Sequence, residues 1–194
     1  ETNAALCEPG EGDELTVHAS TQTPMKTQKF AAHICAIPFN RVICRMKRMG
    51  GGFGGKETRT VPISSAVALA AHRLHRPVRM NVERDFDMWI TGTRHPFIAK
   101  YKAGAGPDGK LRALDIKLYS NAGYSMDLSG PIMDRALFHS DNVYKIPNFR
   151  GVGHICLTNT ASNTAFRGFG GPQGLLICET WMEHMASALS ISPE

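Results

Sequence analysis

Five of the six residues from Gly50 to Gly55 are glycine, and the sixth, Phe53, stands alone among them. Such a run does not belong inside a helix or a sheet, because glycine loses more chain entropy on ordering than other residues and offers no side chain to pack. It reads as a loop, and its flanks show what it joins. Arg41 to Lys47 has a strand pattern. The Ala-rich stretch from Thr58 to Leu74 spaces Ile63, Ala66, Val67, Ala70 and Leu74 by threes and fours, as in a packed helix. A glycine loop between strand and helix lets backbone approach a ligand closely, and the helix start offers N–H groups to an anion. A second cluster, Arg167-Gly168-Phe169-Gly170-Gly171-Pro172, precedes the last helical segment and again displays a single Phe between glycines.

The rest of the chain mixes strands and helices without regular alternation, which points to an α+β fold with mixed sheets rather than a doubly wound one. Leu15 to Ala19 reads as a strand, Thr23-Pro24 opens a helix toward Cys35, and Val78 to Val82 is a strand after Pro77. Phe97 to Ala103 and Leu111 to Tyr119 flank Gly106-Pro107-Asp108-Gly109, a hairpin signal, and the alternation of Leu114, Ile116 and Leu118 with Asp115 and Lys117 predicts one buried face. Ile132 to His139 and Gln173 to Leu189 read as helices, with a strand from Arg150 to Thr158 between them.

Composition narrows the class. With 194 residues, 42% of them hydrophobic, the chain has apolar material enough for one domain or two small ones, so disorder is excluded. No run of about eighteen apolar residues occurs, and no membrane partner is expected. The first residues lack a signal-peptide pattern. Five scattered cysteines form no C-x-x-C pair, which fits a reducing compartment, the cytoplasm with the peroxisome as alternative. A first residue that is not Met and an end just past an amphipathic segment lead us to expect a piece of a larger protein.

Three motifs compete for the first loop. Gly50-x-Gly52-x-x-Gly55 satisfies the dinucleotide fingerprint, with Glu83 or Asp85 as the acidic partner, although so many glycines match almost any glycine template. Gly50-x-x-x-x-Gly55-Lys56 begins a P-loop, but Glu57 stands where a hydroxyl should hold magnesium, and its charge would repel phosphates. In the third reading Phe53 and Glu57, one turn into the helix, face a pocket for a planar ligand. Against it stands Phe53 as a core plug and Glu57 as a first-turn carboxylate favouring the helix dipole. Arg167-Gly168-Phe169-Gly170 resembles half of an RNA-recognition strand, but Gly171-Pro172 breaks it, so no nucleic-acid partner is expected.

Six segments, in order, carry a more specific resemblance: Ser20-Thr21-Gln22, Gly50 to Arg59 (GGGFGGKETR), Thr91 to Phe97 (TGTRHPF), Asp127-Leu128-Ser129, Arg135 to Asn142 (RALFHSDN), and Ser162 to Gly174 (SNTAFRGFGGPQG). Together they resemble the molybdopterin-binding region of the xanthine dehydrogenase/oxidase family, over essentially the whole chain. The resemblance implies that residues 1–194 are a fragment of the molybdopterin-binding domain of a multidomain enzyme. It also implies a mononuclear molybdenum centre on a pterin dithiolene, which hydroxylates an electron-poor ring carbon with oxygen from water. By the same resemblance Gln22 lies beside the metal, as a buried amide, while Phe53, Gly54 and Arg167 border the cofactor. These are family-style contacts to the molybdenum centre, not ordinary metal ligands. The family's purine-oxidising members carry the residues seen here as Glu57 and Arg135, which implies a catalytic clamp on hypoxanthine or xanthine from opposing edges, with Phe169 stacked on the ring. Aldehyde-oxidising relatives replace that pair.

The resemblance further implies 2Fe-2S clusters, FAD and NAD or oxygen as electron acceptors, a homodimer, and a general-base Glu, all supplied from outside this chain. The fragment is expected to be inactive alone. His95, His139 and the other six histidines read as structural or surface groups, and Met46, Met49, Met80 and Met88 as packing.

Overall fold

The computed structural model describes residues 1–193 as two compact units, Glu1–Thr93 and Arg94 onward, each with its own sheet and core. The mixture of sheets and helices is the expected α+β class.

In the first unit, β1 (Ala4–Pro9) and β2 (Leu15–Ala19) form an antiparallel hairpin closed by the Gly10 N–H donating to Glu14 O at 2.7 Å. β3 (Val42–Arg45) lies parallel to β2, and β4 (Val78–Asn81) antiparallel to β1, giving the order β3-β2-β1-β4. Helices α1 (Pro24–Cys35) and α2 (Thr60–Leu74) cover one face. Cys7, Leu15, Val17 and Val42 from the strands meet Ala31, Ala32, Val67, Ala68 and Ala71 from the helices. The alanines let the two helices lie close together while burying little bulk.

Two elements escape the sequence pattern. β1 carries Ala4 and Ala5 and ends on Pro9, a composition poor in β-formers. The seven-residue α3 (Arg84–Ile90) depends on a long-range bond: buried Asp87 Oδ1 accepts from Asn3 N at 3.0 Å and Asn3 Nδ2 at 2.8 Å. Three methionines expected in the packing are instead exposed, Met46, Met80 and Met88. The first two follow or lie on edge strands, whose outer positions face away from the helices, and Met88 points off α3 beside exposed Phe86 and Trp89.

The arrangement removes the dinucleotide reading. That fold needs the strands before and after the glycine loop and its helix to be parallel neighbours. Here β3 and β4 occupy opposite edges of the sheet. Helix α2 also begins only at Thr60, five residues past Gly55.

In the second unit, β5 (Phe97–Ala105) and β6 (Leu111–Gly123) form the expected hairpin, with a register shift at Gly104/Ala105 and a turn closed by Gly106 N donating to Lys110 O at 2.9 Å. β7 (Asn148–Leu157) runs parallel to β6, completing the order β5-β6-β7. Helices α4 (Ser129–Phe138) and α5 (Gly171–Leu189) pack Met133, Ala136, Cys178 and Trp181 onto Leu114, Ile116 and Leu118. Both helices start two residues before the positions expected from sequence or earlier, taking Pro131 and Pro172 into their first turns, where a missing N–H costs nothing. The alternation in β6 predicts a graded response. Ile116→Val should destabilise by about 0.5–1.5 kcal/mol and Lys117→Ala, on the exposed side, by about 0.5 kcal/mol or less, read as denaturant midpoints.

Among the described residues, no helix is long and apolar enough to cross a membrane. All five cysteines are free thiols. Burial pushes Cys7 and Cys178 up to about 12, so both stay protonated and neither is a ready ligand or nucleophile.

Candidate functional site

In the first unit the glycine run is held from below. Gln22 N donates to Lys56 O at 2.8 Å, and the Gln22 side-chain Oε1 accepts from Gly54 N at 2.8 Å and Lys56 N at 3.3 Å. Since those neighbours are both donors, the amide orientation is set: Oε1 faces the loop and Nε2 faces away from it. Gln22 is exposed rather than buried as its family role implied, and among the described residues its Nε2 has no acceptor. The structure therefore presents an oriented N–H donor on the outer side of the loop.

The glycines have local reasons. A Cβ on Gly52 would come within 2.5 Å of the Gln22 amide, and one on Gly51 within 2.5 Å of the Phe53 ring. Phe53 itself sits at φ +52 and is 64% exposed, followed by Gly54 at φ +93. It is no core plug. A non-glycine residue in that left-handed region costs about 1–3 kcal/mol and persists where surroundings or function require it. Phe53→Gly should relieve the strain and give up little buried area. We expect its melting temperature to match or exceed that of the unsubstituted protein, with the loss confined to whatever the ring contacts; a clear fall in thermal stability would contradict this account.

Glu57 lies in the loop, three residues before α2, and not in the helix. The first turn of α2 contains no acid, so the helix-dipole explanation for Glu57 fails. Its backbone is fixed on both sides, with Glu57 N donating to Gly54 O at 3.3 Å and Thr23 Oγ1 donating to Glu57 O at 2.5 Å. No hydrogen bond or ion pair within the protein engages its carboxylate among the described residues.

The second unit repeats the backbone device. Gly168, Phe169 and Gly170 have φ of +92, +49 and +93, so the second Gly-Phe-Gly turn places its phenylalanine in the same left-handed region as the first. Phe169 is half-buried and Arg167 exposed. Arg94 clamps this loop: its Nη2 donates to Arg167 O at 2.6 Å, and its guanidinium lies 4.5 Å from the centre of the Phe166 ring. Arg135 is exposed near the end of α4, with its Nε 3.9 Å from where a Cβ on Gly171 would lie. The structure thus gathers Gln22, Phe53, Gly54 and Glu57 in one unit, and Arg135, Arg167 and Phe169 in the other. His95 is a structural group, buried with Nε2 2.7 Å from Ser129 Oγ.

Sequence reasoning gave no role to Lys56, Ser20, Thr21 or Arg94, although all four lie inside quoted motifs. Thr21 Oγ1 is the centre of a buried hydroxyl cluster, donating to Lys56 O at 3.3 Å and accepting from Thr60 Oγ1 at 3.1 Å. Polar residues flanking a glycine run were the available signal, since a loop without side chains must be held by its neighbours.

A sequence model of the molybdopterin cofactor-binding domain matches residues 1–194. The chain belongs to that family. It is 56% identical over 195 residues to the xanthine dehydrogenase/oxidase of Rattus norvegicus, matching all of this chain and 15% of that protein. Over 191 residues it is 52% identical to the xanthine dehydrogenase of Dictyostelium discoideum, covering 98% of this chain and 14% of that protein. The chain thus spans about 15% of the length of these curated relatives. Among solved structures, the aldehyde oxidoreductase from Desulfovibrio gigas superposes with TM-score 0.86 at 27% identity, over all of this chain and 21% of that one. The quinoline 2-oxidoreductase from Pseudomonas putida 86 gives 0.87 at 25%, over all of this chain and 25% of that one.

The residues present suit a molybdopterin cofactor. Among the described residues no group of three or more His, Cys, Asp or Glu side chains could hold a bare metal ion. Each unit by itself offers contacts suited to an already liganded metal: the first the amide N–H of Gln22 and glycine backbone that a ligand can approach closely, the second the Arg167 guanidinium.

Proposed function

We propose that this chain is the cofactor-bordering and substrate-gripping part of a xanthine dehydrogenase/oxidase, a larger enzyme that oxidises hypoxanthine and xanthine to urate. The observation that supports the reading is made in each unit separately, at Glu57 in the first and Arg135 in the second. Each sits on a firmly held backbone, while among the described residues no hydrogen bond or ion pair within its own unit occupies its charged group. The names of the relatives that are 52–56% identical support the same substrate class.

When bound, molybdenum-molybdopterin supplies a centre that takes up two electrons and brings water-derived oxygen to the ring carbon. This chain's residues do the rest of their work by position. Gln22 Nε2 would donate a hydrogen bond toward the cofactor, Phe53 and Gly54 would form wall beside it, and Arg167 would add a positive charge. Glu57 hydrogen-bonds the purine ring nitrogens, and Phe169 stacks on the ring. Arg135 stabilises the negative charge that gathers on the substrate oxygen in the transition state, where a positioned cation counts most. The general-base Glu, the 2Fe-2S clusters, FAD, the NAD or oxygen acceptor and the homodimer contact belong to the remainder of the enzyme. For the whole enzyme we propose the cytoplasm, with the peroxisome as the alternative.

The test is a substrate panel on the purified parent enzyme with its molybdenum content measured. Urate formed from xanthine at far higher kcat/KM than acid from an aromatic aldehyde is the expected result. The reverse preference would make the parent an aldehyde oxidase, and absence of molybdenum would remove both readings.

A further inference from the structure

Lys56 is 4% exposed, in a loop that carries only one other long side chain before it. A lysine that deeply buried is rare unless its charge is paired. Its Nζ donates to Ser20 Oγ at 2.7 Å and to Glu1 Oε1 at 3.1 Å. Glu1 in turn accepts from Ser20 Oγ, and its Oε2 accepts from Gly50 N at 2.6 Å. The side chain of Lys56 therefore ties the start of the glycine run, through Glu1 and Gly50, to the strand end that carries Ser20. Its backbone ties the other end: Lys56 O accepts from Gln22 N and Thr21 Oγ1, and Lys56 N donates to Gln22 Oε1.

One residue thus fastens both ends of the Gly50–Gly55 loop and one of the two bonds that orient the Gln22 amide. We infer that Lys56 is a positioning residue, which through Glu1 and Ser20 fixes the loop so that Gln22 Nε2 points outward at the cofactor. The inference rests on the proposed function for what Gln22 faces, but the fastening itself is a property of this chain. With the ammonium removed, Gly50 keeps only a carboxylate that has lost its cation, Ser20 loses an acceptor role, and the amide donors of Gly54 and Lys56 move with the slackened loop. Burial explains why the side chain was not legible as functional: the ammonium is spent on Glu1 and Ser20 inside the protein.

The experiment uses the full-length parent enzyme with Lys56→Met, Lys56→Arg and the milder Ser20→Ala. Hydrogen exchange at the Gly54 and Lys56 amides reads the fastening with no reference to activity. Lys56→Met should accelerate it about tenfold or more, as loss of a charge-assisted hydrogen bond does, and Ser20→Ala by a smaller factor. The Mo(V) electron paramagnetic resonance signal reads the metal's surroundings: it should shift in Lys56→Met, with kcat lowered more than KM is raised, and return toward the original in Lys56→Arg. Unchanged exchange at both amides overturns the fastening. Faster exchange with an unaltered Mo(V) signal and kcat overturns the link to Gln22. Should Lys56→Met fail to fold, the same two readouts on Ser20→Ala decide. A wild-type parent that lacks molybdenum would defeat the functional reading alone, and the exchange result would still judge Lys56.

Discussion

Glu57→Ala in the parent enzyme is expected to lower kcat/KM for xanthine by about a hundredfold to a thousandfold, and Arg135→Met by a similar factor. Removing one preorganised group from developing charge typically costs about 2.7–4 kcal/mol of transition-state stabilisation. The folded structure makes the comparison clean. Glu57 is anchored through its backbone to Gly54 and Thr23, so truncating the side chain leaves its loop contacts in place. Arg135 is exposed on α4, and its aliphatic stem is retained in length by Met. Neither substitution should cost more than about 0.5 kcal/mol of stability, the usual range for surface positions without structural partners. Steady-state kinetics with xanthine, beside thermal melts and molybdenum content of the same preparations, separate loss of chemistry from loss of fold. Purine oxidation at the original rate in both variants would remove the clamp.

The same two residues show how far a sequence motif can be followed into the structure. Their motifs pointed to function, and the structure removes the simpler account of Glu57 by starting α2 at Thr60. Periodicity served well where local pattern and burial agree, as in β6, whose buried Leu114, Ile116 and Leu118 alternate with Asp115 and Lys117. It failed where a distant partner decides. Asp87 holds α3 by bonding Asn3, 84 positions away, and no local window contains that information. The glycine runs were legible as loops, but not as a repeated conformation. That Phe53 and Phe169 both adopt φ near +50 follows from tertiary support beneath each loop, Lys56 with Gln22 in one case and Arg94 in the other. The methionines failed for the opposite reason. Hydrophobic type argued for packing, yet on an open sheet edge or a short outer helix these side chains are covered only in part, Met46, Met80 and Met88 being 39%, 41% and 64% exposed.

Gly170→Ala is expected to destabilise the second unit by on the order of 2–6 kcal/mol, adding left-handed backbone strain to an overpacked contact. Gly170 has φ +93, and a Cβ there would overlap the carbonyl oxygen of Ile132 while lying 3.1 Å from Ala136 N. Gly174, one turn on, meets the carbonyl of Ala136 in the same way, so the residue that caps α5 and the first turn of α5 touch α4 backbone to backbone at two points. The obstacle is main chain, which cannot swing aside as a flexible side chain can. Against a typical domain stability of about 5–15 kcal/mol, such a loss should appear as a large fall in soluble yield and melting temperature. Gly104→Ala, at a position where a Cβ meets nothing within 4 Å, is the matched control and should be close to neutral. The contact also bears on the proposed site, because Arg135 and the turn carrying Phe169 are neighbours only while α4 and the start of α5 remain in contact. A Gly170→Ala protein with an unaltered melting temperature would mean that the helices do not meet there, and Arg135 would then have no fixed place beside that turn.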